Sequence, residues 1–312
     1  MNQKIVLTGA TGLIGPNLFN KLIEEGAHVT VLTREAAHAE NIIPGADKYL
    51  YWETAHIDGE WLSALDGADT VIHLAGTPVA ERWTEEHKKE IYDSRIIGTR
   101  NLVAALGKVK NKPKTLISAS AIGYYGIQPH DANAPSLTEK SPAGSDYLSK
   151  VCIDWEAEAR KAEAYGIRVA MIRTGIVLSL KGGALGKMLM PYKFFIGGPI
   201  GSGKQWVSWI HIDDESEIFL FTMRNPNAKG PINAVAPTPV TMDTLAHTFG
   251  KAMGRPSLFP VPKFVLHAIL GDAAEVVGEG QRVLPEKLLA LGFKFKYPEL
   301  DVAVQDLLTH DK

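Results

Sequence analysis

The sequence predicts a doubly wound parallel α/β sheet followed by a smaller mixed lobe. Three observations carry that expectation. Short β-branched or aromatic runs alternate with longer stretches of helical period over the first two thirds of the chain, the pattern of a parallel sheet with crossover helices. A glycine-rich turn lies directly between the first such run and the first helical stretch. After Gly182 the alternation breaks down, and Gly and Pro crowd the chain from Gly197 to Pro239.

Taken in order, the strands are expected at Ile5 to Thr8, Val29 to Thr33, Tyr49 to Trp52, Thr70 to Ala75, Thr115 to Ser120 and Arg168 to Arg173. Helices are expected at Leu13 to Glu25, Trp61 to Leu65, Glu85 to Leu106 and Tyr147 to Tyr165. Gly26 is a suitable stop for the first, because glycine accepts the left-handed conformation that closes a helix. Right-handed crossovers make 3-2-1-4-5-6 the expected strand order, with ligands outside the strands' carboxyl ends. Residues 1–181 form the expected first domain and 182–312 a smaller lobe closing over its binding edge. One strand near 231–236, centred on Ile232 to Val235, is expected to return to the sheet. Long linkers are absent, so the lobes should pack together.

Composition narrows the function classes. The chain has 312 residues, 45% hydrophobic and 22% charged, enough to bury a core without staples. A net charge of -2 supplies no basic field for nucleic acid or anionic membrane. Cys152 is the single cysteine; it forms no intrachain disulfide and provides no metal pair, which fits a reducing compartment, with the cytoplasm as the default. The opening MNQKIVLT reads as a strand rather than a secretory signal. The most apolar tract, Phe264 to Leu270, is short and follows two prolines, so no membrane span is expected.

The segment Gly9 to Gly15, GATGLIG, carries the strongest local signal. Gly9 permits the tight turn, Gly12 lets backbone approach a pyrophosphate, and Gly15 allows close packing of helix on strand. Thr11, Leu13 and Ile14 complete a loop that delivers the helix N-terminus to the ligand. The G-x-x-G-x-x-G spacing resembles that of short-chain dehydrogenase/reductase proteins, which implies a Rossmann-like dinucleotide site. The acid expected after the second strand is replaced by Thr33 and Arg34. A guanidinium there suits a 2′-phosphate, so the expected cofactor is NADP. Glu35 is the alternative, holding a ribose hydroxyl. His73-Leu74-Ala75-Gly76 resembles the small-residue strip against which such cofactors lie. His73 is read as a packed residue, and no metal site is expected.

Members of that superfamily use a Ser or Thr with Tyr-x-x-x-Lys on a helix. Residues four apart share a helix face, so the ammonium tunes the phenol while holding the nicotinamide ribose. Here Tyr147 and Lys150 are three apart. If Lys150 keeps the role, the phenol position is Asp146; if Tyr147 keeps it, the lysine position is Val151. We follow the lysine: Lys150 holds the ribose, with the proton from Tyr124, Tyr125 or a water beside Ser120. Ser118 and Ser120, on the fifth strand, resemble the family's carbonyl-polarising serine segment.

The stretch from Gly201 to Asp214 resembles the epimerase segment in which an arginine grips a substrate pyrophosphate, but that position holds Val207. A nucleotide-sugar substrate therefore loses its main anchor unless Lys204 or Arg282 replaces it. His211 and the following aspartates read as a strand end and the N-cap of a helix near Asp214. Gly198 to Lys204 mimics a P-loop but has Gln205 where Ser or Thr is required. Together with Trp155-Glu156, Gln281 to Pro285 and Gly292 to Phe295, these motifs resemble the atypical "epimerase family" of extended short-chain dehydrogenases, with a small extra C-terminal domain. The resemblance implies an NADP-dependent oxidoreductase or epimerase on a small carbonyl or hydroxyl compound. A binding or regulatory protein that holds NADP and catalyses nothing is the competing reading, because the relay is displaced. Oligomeric state is open.

Overall fold

The computed structural model describes residues 3–128, 134–262, 271 and 279–309; the Phe264 to Leu270 tract lies outside them. Seven parallel strands form the central sheet. They are β1 (Lys4–Thr8), β2 (His28–Thr33), β3 (Lys48–Tyr51), β4 (Thr70–His73), β5 (Thr115–Ala121), β6 (Arg168–Thr174) and β10 (Gly230–Ala234). Their order is β3-β2-β1-β4-β5-β6-β10. The expected order is therefore found, and the returning strand joins its far edge, with Ile232 opposite Ile172.

Strand alternation explains the layers. Ile5, Leu7, Val29, Val31, Ile72, Ile117 and Ile172 project to one face, where they meet Leu18, Phe19 and Leu22 of α1 (Gly15–Glu24) and Ile218 and Phe219 of α7 (Ile212–Arg224). Val6, Leu32, Val71, Leu116, Val169 and Met171 project to the other, against Leu102, Val103 and Leu106 of α4 (Glu85–Lys108) and Ala159 of α5 (Tyr147–Arg160). Period two in the strands and 3.6 in the helices thus fill both interfaces. Two short helices, α2 (Ala36–Ile42) and α3 (Leu62–Leu65), complete the β2-β3 and β3-β4 connections. The first was not expected from the sequence. Helix α1 starts two residues later than expected, at Gly15, and the last turn expected of α5 tightens into a 3₁₀ segment at Lys161–Tyr165.

Beyond β6 lie β7 (Ile176–Leu178), β8 (Trp206–Val207), β9 (Trp209–His211) and β11 (Val240–Thr241), with α6 (Gly183–Lys193), α8 (Met242–Met253), α9 (Glu286–Ala290) and α10 (Leu300–Thr309). The small strands pair as β11-β8 and β7-β9. Leu185, Leu189, Tyr192, Trp209, Leu245, Phe249, Leu300 and Val304 pack into a separate core. The N-cap of α7 is His211 rather than an aspartate: its Nδ1 accepts from Asp213 N at 3.1 Å. Asp214 instead accepts from the backbone N–H of Lys296 and of Tyr297, both at 2.8 Å, tying the C-terminal segment to α7.

A candidate cofactor cleft at the carboxyl edge of the sheet

The glycine turn closes with Gly12 N donating to Gly9 O at 3.1 Å. Its three glycines are constrained differently. Gly9 has φ +69°, and a Cβ there would stand 2.6 Å from Ala75 N. A Cβ on Gly15 would stand 2.1 Å from Ala10 O. Gly12 would meet only Gly9 O, at 3.3 Å. Protein packing therefore requires glycine at 9 and 15, whereas at Gly12 a single backbone oxygen limits the space. Ile14 caps α1 without a side-chain hydrogen bond, Pro16 follows in the first turn, and the helix presents its positive end there. Leu13 packs against the Gly182-Gly183 turn that leads into α6.

At the end of β2, Thr33 is half-buried and its Oγ1 accepts from Glu35 N at 3.2 Å. Arg34 and Glu35 are exposed, and neither forms an ion pair among the described residues. Tyr51 lies close enough to Arg34 to feel its charge. At the neighbouring strand end, Thr8 Oγ1 bonds His73 Nδ1 at 2.7 Å and accepts from Ala75 N at 3.3 Å. His73 Nε2 meets Thr99 Oγ1 at 3.0 Å, and burial pushes the imidazole down to about 4. His73 is thus a neutral packed residue that holds the Leu74-Ala75-Gly76 strip against the glycine turn.

The expected relay residues are dispersed. Ser118 is buried and its Oγ donates to Ala119 O at 3.1 Å. Ser120 Oγ donates to Glu156 Oε1 at 2.8 Å. Glu156 also receives Arg173 Nε and Nη2, at 2.7 and 2.9 Å, while Arg173 Nη1 donates to Tyr125 OH at 2.9 Å. Tyr125 in turn donates to Asn233 Oδ1 at 2.6 Å, and burial pushes its phenol up to about 12. Burial alone would lower the pKa of Arg173, but the bonds to Glu156 outweigh it and keep the guanidinium charged. This clamp joins α5, β5, β6 and β10, and it consumes Ser120 and Tyr125.

Lys150 and Tyr147 do not reach that group. Lys150 Nζ pairs with Asp154 at 2.8 Å, lies over the Tyr92 ring and is 67% exposed; the hydrogen bond to Asp154 raises its pKa. Tyr147 OH donates to Lys88 O and its ring meets Trp83 edge-on. Asp146, at the expected phenol position, is the N-cap of α5, accepting from Ser149 N at 2.9 Å. Lys150, expected at the nicotinamide ribose, thus lies on the solvent side of α5 beside Asp154 and Tyr92, while Ser149 and Cys152 face Gly123 and Glu156 faces Ser120. Tyr124 differs from the others. Its ring stacks on Arg173, 3.4 Å from ring centroid to Cζ, and its hydroxyl has no partner among the described residues.

Three features were missed in the sequence. The Arg173–Glu156 clamp was signalled by an arginine ending a buried strand. Arg95 interrupts the inward stripe of α4 formed by Ile91, Gly98 and Leu102. Glu215, fully buried, accepts from Thr174 Oγ1 at 2.7 Å, and burial pushes it up to about 8. In the second lobe, Val207 is 2% exposed within the core, and Arg282 stacks on Trp206. Gly198 packs directly on the Phe259 backbone, a structural use for the P-loop mimic. Among the described residues no cluster of His, Cys, Asp or Glu could hold a metal, and no helix is long and apolar enough to cross a membrane.

A doubly wound sheet with a glycine turn opening α1 defines a nucleotide-binding α/β protein. Residues 5–235 match the NAD dependent epimerase/dehydratase family, and residues 261–307 match a domain of unknown function, DUF1731. The chain belongs to the NAD dependent epimerase/dehydratase family. It is 42% identical over 306 residues to the chloroplastic epimerase family protein SDR39U1 homolog of Arabidopsis thaliana, covering 97% of this chain and 86% of that one. It is 39% identical to the epimerase family protein YfhF of Bacillus subtilis, with 99% of each chain covered. The crystal structure of human epimerase family protein SDR39U1 with NADPH superposes with a TM-score of 0.85 at 33% identity, covering 98% and 99% of the two chains. UDP-glucuronic acid 4-epimerase from Bacillus cereus shares the fold at 17% identity, TM-score 0.77, with 99% of each chain covered.

Proposed function

We propose that this chain binds NADPH at the carboxyl edge of the sheet and acts as an oxidoreductase on a small carbonyl or hydroxyl compound, without a Tyr–Lys pair. The observation that carries the reading is the contrast within the glycine turn: two glycines are demanded by several protein atoms closer than 3 Å, whereas a Cβ on the third would meet a single backbone oxygen, at 3.3 Å. A pyrophosphate would sit there, against the α1 N-terminus that no side chain caps. Gly9, Thr11, Gly12, Leu13, Ile14 and Gly15 would hold it. Thr33 and Arg34 would take the 2′-phosphate, and Leu74, Ala75 and Gly76 the adenosine side. Crystallisation of the human relative with NADPH supports this choice. When bound, NADPH supplies a hydride.

The chain's own residues then handle the proton. Ser120 and Tyr125 are spent on the Glu156–Arg173 clamp, whereas Tyr124 keeps its phenol free over Arg173. Tyr124 accordingly delivers the proton to the substrate oxygen. Val207 sits in the lobe core, so a nucleotide sugar lacks the family's arginine anchor there.

The test follows NADPH absorbance across a panel of small ketones and aldehydes. Tyr124→Phe should bind NADPH normally and lose about 100- to 10,000-fold in turnover, the scale of general acid catalysis. Equal turnover would remove Tyr124 from the chemistry. A second reading, NADP binding without catalysis, is favoured by the engagement of Tyr147 with Lys88 and of Lys150 with Asp154. It gains if no member of the panel oxidises NADPH.

A further inference from the structure

Arg95 is a guanidinium inside the cleft wall with no carboxylate partner among the described residues. Its Nη1 donates to Thr77 O at 2.8 Å and to Ile91 O at 3.3 Å. Its plane lies beside Trp155, 5.1 Å from ring centroid to Cζ. It also presses on Gly76: a Cβ there would stand 3.1 Å from Arg95 Cζ and 3.3 Å from Nη2. Since Ala75 abuts Gly9 in the same way, this cation stands one residue beyond the contact between the strip and the glycine turn. Burial lowers its pKa, so an anion brought to it would relieve an existing cost.

The unused atoms give the geometry. Nε and Nη2 of an arginine form the edge that accepts two carboxylate oxygens side by side. This chain uses that edge twice elsewhere. Arg173 grips both oxygens of Glu156 through Nε and Nη2, and Arg100 grips Glu158 Oε1 through the same atoms, at 3.0 and 2.8 Å. On Arg95 that edge has no partner among the described residues, and neither nitrogen is sealed from solvent. The cofactor's phosphates have their own seats in the proposed mode, at α1 and Arg34.

We propose that Arg95 is the carboxylate-binding residue for the second ligand of the cleft, so that the small carbonyl substrate bears a carboxylate. The inference rests on the proposed cofactor mode. It assigns a substrate class, oxo acids and the corresponding hydroxy acids, and it separates them from neutral ketones of the same shape.

The test uses straight-chain 2-oxo acids of increasing length, each paired with the methyl ketone of matching length. Binding is read by calorimetry on the full-length protein, with and without NADP, and NADPH affinity is titrated separately on each variant. The native protein should prefer the acid of at least one pair by tenfold or more, the scale of a charge-assisted hydrogen-bond pair. Arg95→Gln should erase the preference while leaving NADPH affinity within about twofold. Arg95→Lys keeps the charge without the fork and should retain a weaker preference; it also serves if Arg95→Gln does not fold. Absence of any preference in the native protein, or its persistence in Arg95→Gln, overturns the proposal. So does a loss of NADPH affinity in Arg95→Gln and Arg95→Lys alike, which would give the fork to the cofactor. Failure of the native protein to bind NADPH, with the acid preference intact, refutes the cofactor reading instead.

Discussion

Substituting Gly12 and Gly15 separately distinguishes a glycine kept for a ligand from one kept for the fold. In Gly12→Val, the new Cβ meets only Gly9 O, at 3.3 Å, and Gly12 is not in the left-handed region. Stability should therefore change by about 1 kcal/mol or less, as for other substitutions that touch little. The remaining methyl groups enter the space assigned to the pyrophosphate. Losing two charge-assisted hydrogen bonds, at about 1.5 to 3 kcal/mol each, weakens NADPH by roughly 150- to 25,000-fold. In Gly15→Ala the order reverses. Its Cβ would stand 2.1, 2.4 and 2.7 Å from Ala10 backbone atoms, so α1 must move from β1, at about 1 to 3 kcal/mol or more. Thermal melts and a fluorescence titration with NADPH read both quantities. Native NADPH affinity in Gly12→Val, or a Tm as depressed as that of Gly15→Ala, would refute the reasoning.

Arg34→Ala should weaken NADPH by about 1.5 to 3 kcal/mol for each charge-assisted bond lost and leave NADH nearly unchanged; equal affinities of the native protein for both cofactors would contradict the role of Arg34. UDP- and GDP-sugars should bind weakly or not at all, because Val207 is turned into the lobe core, and a micromolar constant by calorimetry would return attention to Lys204 and Arg282. Glu215 gives a pH prediction. Its folded pKa, about 8, is above the ordinary 4.5, so the native state holds the extra proton, and stability is lost as pH rises from 4.5 toward 8. His73 and His211, pushed from 6.5 down to about 4, act oppositely and only below 6.5. Between pH 6.5 and 8 the native Tm should therefore fall relative to that of Glu215→Gln, and parallel curves would show that Glu215 titrates normally.

The sheet was legible because each strand carries its own evidence: two-fold alternation fills both faces, and crossover handedness narrows the orders to a few, among which the observed one leads. The glycine turn was legible for the same reason, being local and bounded by a strand and a helix. The relay was not, because spacing fixes how two residues of a helix stand to each other but not how the helix is turned toward the sheet. That rotation is set by a pair distant in sequence. Arg173 lies one residue from the end of β6 at 2% exposure, where a guanidinium needs a carboxylate, and Glu156 supplies it across 17 residues. With Glu156 facing the sheet at 100° per residue, Lys150 stands about 120° away around α5 and Tyr147 about 180° away. Lys150 accordingly meets Asp154 and Tyr92 beside solvent, and Tyr147 meets Lys88 and Trp83. Cys152, four residues before Glu156, shares its face and approaches Gly123 instead. The buried arginine thus sets which α5 side chains face β5 and β6, and Tyr147 and Lys150, held by Lys88 and Asp154, are not among them.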